Sequence, residues 1–288
     1  GFVGGSKLKN FDGMAPTFFR PSDITVGPDG AIYFCDWFDP RVGASSNMDD
    51  SCSGTIYRIA PKDFEPSVPR LDLTTTAGQV KALRSPAVNT RYLGFRALRA
   101  KGTAAFTAVT RLLEDENKWI AARAVWLLPY LGDEGIRKCI ARLSHEQFQQ
   151  RVLAYRALRR AGHDMVPHAH RLSSDPSPQV RREVALSLRD LPARTTAKIF
   201  TDLARHCDTT DKNSLEAIGI GAANKESEVW TAIRAALKPG SPEKWSDDFT
   251  RLTWRLWGAA SIANLKTRAL DRSLSLDERK FAVESLAF

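Results

Sequence analysis

The pattern of hydrophobic positions changes once along the chain, close to residue 80. Before that point, short runs of β-branched and aromatic residues predict strands. After it, apolar residues recur with a period close to ~3.6, which predicts amphipathic helices. The sequence therefore predicts an α+β fold that is mainly α, with a β part followed by a longer helical part.

The β part contains three predicted strands within residues 20–60. The sequence GPDG at 27–30 predicts a tight turn, because Pro presets φ, Asp bonds its own backbone and Gly tolerates positive φ. Three short antiparallel strands are not stable alone in water, so we expect them to pack against further strands or against the helices. The apolar residues of the strands are Ile24, Val26, Ile32, Phe34, Ile56, Tyr57 and Ile59.

The helical part repeats itself every 30 residues. A fixed period of this size is typical of stacked supersecondary units. Each unit has the pattern of a helix, a short turn and a second helix, and a glycine ends the first helix. Helices this short are marginal alone, so neighbouring units must stabilise one another. The repeating positions include Leu98, Leu128, Leu158 and Leu188; Phe95, Val125, Tyr155 and Ala185; and Gly102, Gly132 and Gly162.

The repeat weakens after residue 206. Residues 212–222 predict a degenerate first helix, and VWTAIRAAL and FTRLTWRLWGAASIANLKTRAL each predict one further helix. Trp254 and Trp257 lie three residues apart within the second of these and are interpreted as core residues. The final segment, LDERKFAVESLAF, predicts the start of another unit, which together with Gly1 suggests a fragment of a longer chain.

The formal net charge of +9 is spread unevenly. Residues 76–206 contain 23 Lys and Arg against 11 Asp and Glu, so the basic excess lies in the regular repeats. This distribution fits a nucleic-acid or acidic partner, and it equally fits arginine-rich solvated helix faces. Arg99, Arg159 and Arg189 recur near the ends of the first helices, where they offset the negative end of the helix dipole.

Candidate chemistry is confined to the β part. The helical repeats lack phosphate-loop, HExxH and GxSxG motifs and show no nucleophile beside a base. Long loops in compact β units are often functional. Carboxylates with an arginine suit a cation or a polar substrate, and they are equally typical of solvated loop residues. The polar residues of the long loop are Asp36, Trp37, Asp39, Arg41, Asp49 and Asp50.

The cysteines and histidines give weak signals. The four cysteines form no CxxC pair, and the CxxCH haem-attachment motif is missing. Cys35 and Cys52 flank the long loop, where a disulfide in an oxidising compartment is an open alternative. Cys139 is predicted to be a core residue. The three histidines within 163–170 have no ligand partners at metal spacing and are interpreted as surface residues, so we expect no metal site.

The 30-residue unit resembles HEAT repeats in their short form. DPSPQVRREVALSL at 175–188 is close to the signature of that family, in which an Asp precedes an Arg by six residues, here Asp175 and Arg181. Ser85 and His145 replace the Asp in two units, and Ala121 replaces the Arg in another. The resemblance implies an α-solenoid with a structural ladder between units, carried by Asp175, Arg181, Arg91 and Arg151.

Residues 18–62 resemble the last blade of the β-propeller in bacterial membrane-bound dehydrogenase-like proteins of the planctomycete and verrucomicrobial type. These proteins are similar to quinoprotein sugar dehydrogenases. The segments FRPSDITVGPDGAIYFCDWFDPRVG and GTIYRIAPK carry the resemblance. In that family, HEAT repeats and then a cytochrome c domain follow the propeller. Family members commonly carry a Gly-His pair in the loop, where this chain has Gly43, Ala44 and Ser45, which puts a His-dependent role in doubt.

The resemblances imply four segments: a partial propeller blade at 1–62, a linker at 63–80, HEAT repeats at 81–206 and degenerate HEAT-like helices at 207–288. They imply a scaffold and interaction segment between a propeller oxidoreductase domain and a haem domain outside this chain. The parent would be a periplasmic, secreted or membrane-associated sugar or alcohol dehydrogenase that uses pyrroloquinoline quinone (PQQ) and haem c. This fragment would hold neither cofactor and would not be active alone.

The alternative is a HEAT-repeat binding module for an acidic protein or a nucleic acid. We expect a protein partner on the solenoid rather than nucleic acid, besides the intramolecular propeller and cytochrome domains. A lyase or regulatory role, as some short HEAT repeats have, is favoured by no residue. No apolar run approaches the ~20 residues of a membrane helix, so we expect no transmembrane segment.

Overall fold

A computed structural model of the chain describes residues 21–36 and 55–287. The described residues form a small three-stranded antiparallel sheet followed by helices, so the fold is α+β and mainly α, as the sequence predicts. The chain divides into two compact units, Gly1–Leu127 and Leu128–Phe288. No described helix combines the length and the apolar character that a bilayer crossing requires.

The sheet belongs to the first unit and has the order β1-β2-β3, with β1 Pro21–Val26, β2 Ile32–Asp36 and β3 Thr55–Ile59. All neighbouring strands are antiparallel. The predicted turn joins β1 to β2: the N–H of Gly30 donates to the carbonyl of Gly27 at 2.9 Å. Gly30 has a φ of +89°, a conformation that L side chains rarely adopt. The three strands and the turn are therefore confirmed.

One face of the sheet is apolar and exposed. The register places Ile24 beside Phe34 and Tyr57, and places Ile32 beside Ile59. Phe34 is buried and stacks on Tyr57 with ring centroids 5.2 Å apart. The other four side chains are exposed, and Ile24 retains 68% of its surface. The described helices therefore leave this face largely uncovered.

Four helices of the first unit follow the sheet. The first begins at Thr76, inside the segment that composition assigns to a linker, because the Thr75 hydroxyl caps it by accepting from the N–H of Gly78. Short 3-10 turns flank the third helix at Gly102–Ala105 and Leu112–Glu114. The helices are α1 Thr76–Arg84, α2 Val88–Lys101, α3 Phe106–Arg111 and α4 Lys118–Leu127.

The second unit is entirely helical in its described residues. Its helices are α5 Gly132–Ala141, α6 Phe148–Arg160, α7 Val166–Leu172, α8 Pro178–Ser187, α9 Ala193–Arg205, α10 Lys212–Gly221, α11 Glu226–Leu237, α12 Asp247–Arg255, α13 Ile262–Leu270 and α14 Leu276–Ala287. Short 3-10 turns lie at Leu128–Tyr130, Arg142–Ser144, Pro242–Lys244 and Ala259–Ser261.

The 30-residue period is visible in the positions of the helices. The first helices of successive repeats, α2, α4, α6 and α8, begin at Val88, Lys118, Phe148 and Pro178, each 30 residues after the last. Two of the repeating glycines follow the end of a first helix, since α2 ends just before Gly102 and α6 ends just before Gly162, both with positive φ. Gly132 instead begins α5, because α4 ends earlier, at Leu127, and a 3-10 turn follows it. The repeated leucines Leu98, Leu128, Leu158 and Leu188 are fully buried.

The single helix predicted for residues 249–270 is wrong. α12 ends at Arg255, and α13 begins only at Ile262. Gly258, in the break, passes so close to the chain at Ser227 that an added Cβ would lie 2.4 Å from the Ser227 Oγ. The close approach of two chain segments therefore interrupts a pattern that is locally helical.

Candidate functional site

The polar loop predicted as a candidate site lies almost wholly outside the described residues. Trp37, Asp39, Arg41, Asp49 and Asp50 belong to residues 37–54, which are not described. Only Asp36 is described, as the last residue of β2, where it is in register with Thr55 of β3. The structure therefore does not test the predicted polar loop beyond Asp36.

The first position of the signature makes the same hydrogen bond in each of the four regular 30-residue repeats. Its side chain accepts from the backbone N–H two residues further on, at 2.9–3.2 Å. This is an Asx-type turn before the next helix. The acceptors are Ser85 Oγ, Asp115 Oδ1, His145 Nδ1 and Asp175 Oδ1. Serine and histidine therefore keep the local role of the aspartate while losing its charge.

The signature arginine bonds backbone carbonyls five and six residues before it. Arg181 Nη1 donates to the carbonyl of Asp175 at 2.6 Å, and Arg151 Nη1 donates to that of His145 at 2.8 Å. Arg91 makes the equivalent bond to Pro86 at 3.2 Å. Within a unit, Asp175 and Arg181 are thus joined through the main chain and not through the carboxylate.

An ion pair between successive repeats joins Arg151 to Asp175. Arg151 Nε and Nη2 donate to the two carboxylate oxygens at 2.8 and 2.6 Å. Both residues are buried, which makes this a desolvated bidentate pair. The same spacing places Arg91 with Asp115, but Asp115 pairs with Arg84, whose hydrogen bond holds the pKa of that carboxyl below its usual value.

A second set of cations follows the repeat on the second helices of the second unit. Positions 138, 168 and 198 are 30 residues apart on α5, α7 and α9. The residue after each of them is fully buried, so these positions lie at the margin of the core with their side chains turned outward. We call the basic face the residues Arg137, Lys138, His168, Arg171, Arg194 and Lys198.

A hydrogen bond joins two neighbouring elements at the centre of the basic face. Arg171 Nη1 donates to Ser144 Oγ at 3.2 Å, which links α7 to the turn after α5. Burial first, and then the positive charge of Arg171, hold the pKa of His168 below its usual value, while Asp164 opposes that shift. His168 is therefore mainly neutral near pH 7, and the charge of the face comes from its lysines and arginines.

The sequence-based prediction did not include this face, because it considered the arginines of the first helices. Arg99, Arg159 and Arg189 are exposed, consistent with a role at helix ends. The 30-residue step that identified the core leucines also connects Lys138, His168 and Lys198, and this signal was sufficient to find the face.

Two buried cations of the second unit have structural partners. Lys225 Nζ donates to the carbonyls of Leu188 and Arg189, at 2.9 and 2.7 Å, and so caps the end of α8. Arg268 is almost fully buried, donates to the carbonyl of Pro242, and lies over the Trp245 ring at 5.9 Å from its centroid.

The tryptophans divide between core and surface. Trp230 and Trp245 are buried, and the Trp230 Nε1–H donates to Thr253 Oγ1 at 3.0 Å. Trp254 is half-buried beside Phe281. Trp257 is 50% exposed, so its assignment to the core is wrong: it lies in the break after α12, where the helical face no longer continues.

The cysteines and histidines give no cluster. Cys35 is half-buried in β2, and Cys52 lies outside the described residues. Burial raises the pKa of the Cys139 thiol to about 12 and that of Cys207 to about 11, so both are inert thiols near neutral pH. Within residues 21–36 and 55–287, no group of three or more His, Cys, Asp and Glu side chains is placed to hold a metal ion.

A scan against models of protein families matched none, and a search of curated proteins also found no match.

Proposed function

We propose that the chain is a structural and interaction segment of a dehydrogenase-like quinoprotein. In this proposal the helix pairs form a HEAT-type α-solenoid, and the three-stranded sheet is part of a β-propeller blade. The solenoid would connect a propeller that oxidises a sugar or alcohol to a domain that carries haem c. PQQ and haem belong to those other domains, in a periplasmic, secreted or membrane-associated parent protein.

The exposed apolar face of the sheet carries the proposal. Ile24, Ile32 and Ile59 project from one face of a sheet of only three strands and remain exposed. Burying apolar surface yields roughly 25 cal/mol per Å², so this face favours packing against another surface. A neighbouring sheet packed face to face, as propeller blades are, would bury it.

The helical part supports an interaction role. The 30-residue units are joined by buried polar contacts such as the Arg151–Asp175 pair. Repeats stabilised by their neighbours form extended surfaces, and such surfaces are commonly used for binding. The arginine and aspartate side chains of the repeats bond main-chain carbonyls, the N–H groups at helix starts and one another. These contacts have a structural role.

The proposal is tested on the full product of the gene. Its sequence is expected to contain further four-stranded β repeats before this chain and a CxxCH motif after it. The purified product should show haem absorbance and dye-linked oxidation of sugars or alcohols that depends on added PQQ. Residues 1–288 expressed alone should show neither. A gene product without flanking β repeats and without CxxCH contradicts the proposal.

The sheet face gives a second, independent measurement. Ile24→Lys with Ile59→Lys should lower dehydrogenase activity and thermal stability of the full product, because two charges would be placed in a buried interface. The matched control is Ile56→Lys, since the alternation of side chains places Ile56 on the opposite face of β3. Equal effects of both changes would argue against a sheet packed on this face.

A further inference from the structure

We propose that the basic face binds an extended acidic polypeptide that runs across α5, α7 and α9. The inference deepens the interaction role proposed above and rests on it. Three properties of the cations on α5, α7 and α9 support it: where they lie, whether they form ion pairs, and how they are spaced.

The cations of the basic face are available for a partner. Among the described residues, Arg137, Lys138, Arg171, Arg194 and Lys198 form no ion pair with an acid. On the first helices, by contrast, three arginines are used internally. Arg151, Arg156 and Arg182 pair with Asp175, Glu183 and Asp211.

The spacing of the face fits an extended chain. Packed helices lie ~8–10 Å apart, α7 and α9 are in contact, and the Arg171–Ser144 hydrogen bond brings α7 to the turn that follows α5. An extended polypeptide advances ~3.3 Å per residue, so acidic side chains at every third position recur at ~10 Å. Such a peptide can present one carboxylate to each helix in turn.

The same face is less suited to a nucleic acid. Single strands are usually held by aromatic side chains that stack on the bases. The one aromatic ring besides histidine on α5, α7 and α9 is that of Phe200, and it is fully buried. Glu134 and Asp164 occupy the positions equivalent to Arg194, within the face, and would repel a continuous phosphate backbone. A polypeptide can avoid them by placing its own basic or neutral residues there.

The experiment measures binding of two labelled probes to the purified chain by fluorescence anisotropy at several salt concentrations. One probe is a peptide with Glu at every third position and Ser or Ala between. The other is single-stranded DNA of equal charge. We expect the chain to bind the peptide at low salt, more weakly as salt rises, and to prefer it to the DNA.

Two triple variants with the same loss of charge locate the site. Lys138→Gln, Arg171→Gln and Lys198→Gln together should weaken peptide binding about tenfold, since three exposed charge contacts are lost. Arg159→Gln, Arg160→Gln and Arg189→Gln, on first helices, should change it less than about twofold. Circular dichroism spectra and melting curves establish that both variants are folded.

Three results would overturn the inference: no peptide binding at low salt, equal weakening by both triple variants, or tighter binding of the DNA. None of these bears on the flanking sequence or on the dehydrogenase activity of the full gene product. A failure here is therefore distinguishable from a failure of the proposed function.

Discussion

Arg151 donates two parallel hydrogen bonds to the carboxylate of Asp175, a residue of the following repeat, and both side chains are buried. Removing one partner leaves the other charged and desolvated, so Arg151→Met should lower the free energy of unfolding by about 3–5 kcal/mol. Urea denaturation of the chain measures this. The control is Arg205→Gln, whose partner Asp202 lies on the same exposed helix surface, with an expected loss below about 1 kcal/mol. Similar losses of unfolding free energy in both variants would show that the buried Arg151–Asp175 pair contributes no more than an exposed one.

Lys225 caps the end of α8 through two main-chain carbonyls. Lys225→Met keeps most of the aliphatic stem but leaves the carbonyls of Leu188 and Arg189 without this donor. We expect a loss of about 1–3 kcal/mol in unfolding free energy. Lys212→Met, at an exposed position, should change stability by less than about 0.5 kcal/mol. A neutral Lys225→Met would mean that the cost of burying the ammonium cancels the two hydrogen bonds.

Gly221 permits a close contact between α10 and α8. A Cβ added there would lie 2.1 Å from the carbonyl oxygen of Ala185, and this backbone atom cannot move aside. Gly221→Ala should therefore destabilise the protein by about 1–3 kcal/mol, although alanine is the better helix former.

The same helix provides the control for Gly221. At Gly219 the atoms nearest to the added Cβ belong to the flexible end of the Arg255 side chain, 2.0 Å away, which is ion-paired with Glu216. Gly219→Ala should be close to neutral, because the arginine can move and the helix gains about 1 kcal/mol of propensity. Thermal melts of the two variants compare these effects directly. A larger loss for Gly219→Ala than for Gly221→Ala would contradict the helix contact.

The lowered pKa of His168 predicts a dependence of stability on pH. Between that lowered pKa and the ordinary value of 6.5, the unfolded chain binds more protons than the folded one. Stability should therefore fall as the pH drops from above the ordinary pKa toward the lowered one, and His168→Gln should flatten this part of the curve. Urea unfolding at several pH values measures the slope.

An NMR titration of His168 checks the cause of that shift. Arg171→Gln removes a nearby positive charge and should raise the pKa, whereas Asp164→Asn removes a negative charge and should lower it further. Shifts in the reverse directions would show that these charges do not act on His168.

The sequence predicted the elements whose signals are local and repeated. The turn at 27–30 and the glycine stops at Gly102 and Gly162 are confirmed. In each of these, a small number of neighbouring residues determines the backbone conformation. The 30-residue period also predicted which residues of distant helices correspond to one another, because residues one repeat apart occupy equivalent environments.

Features that depend on contacts between distant residues were not predictable in this way. The break between α12 and α13 depends on the close approach of Gly258 to Ser227, and no local sequence pattern predicts it. The role of Lys225 depends on carbonyls 36 and 37 residues away. The start of α1 was hidden in a run of threonines, of which only Thr75 caps the helix.

The regular placement of helix starts at Val88, Lys118, Phe148 and Pro178 has a genetic consequence. Recombination between two misaligned copies of the coding repeat would add or delete one whole unit and leave every later helix in phase. The loss of a single codon within a helix would instead rotate the rest of that helix by about a hundred degrees relative to its contacts. The chain can therefore change its number of repeats in one evolutionary step, provided that the step is a complete repeat.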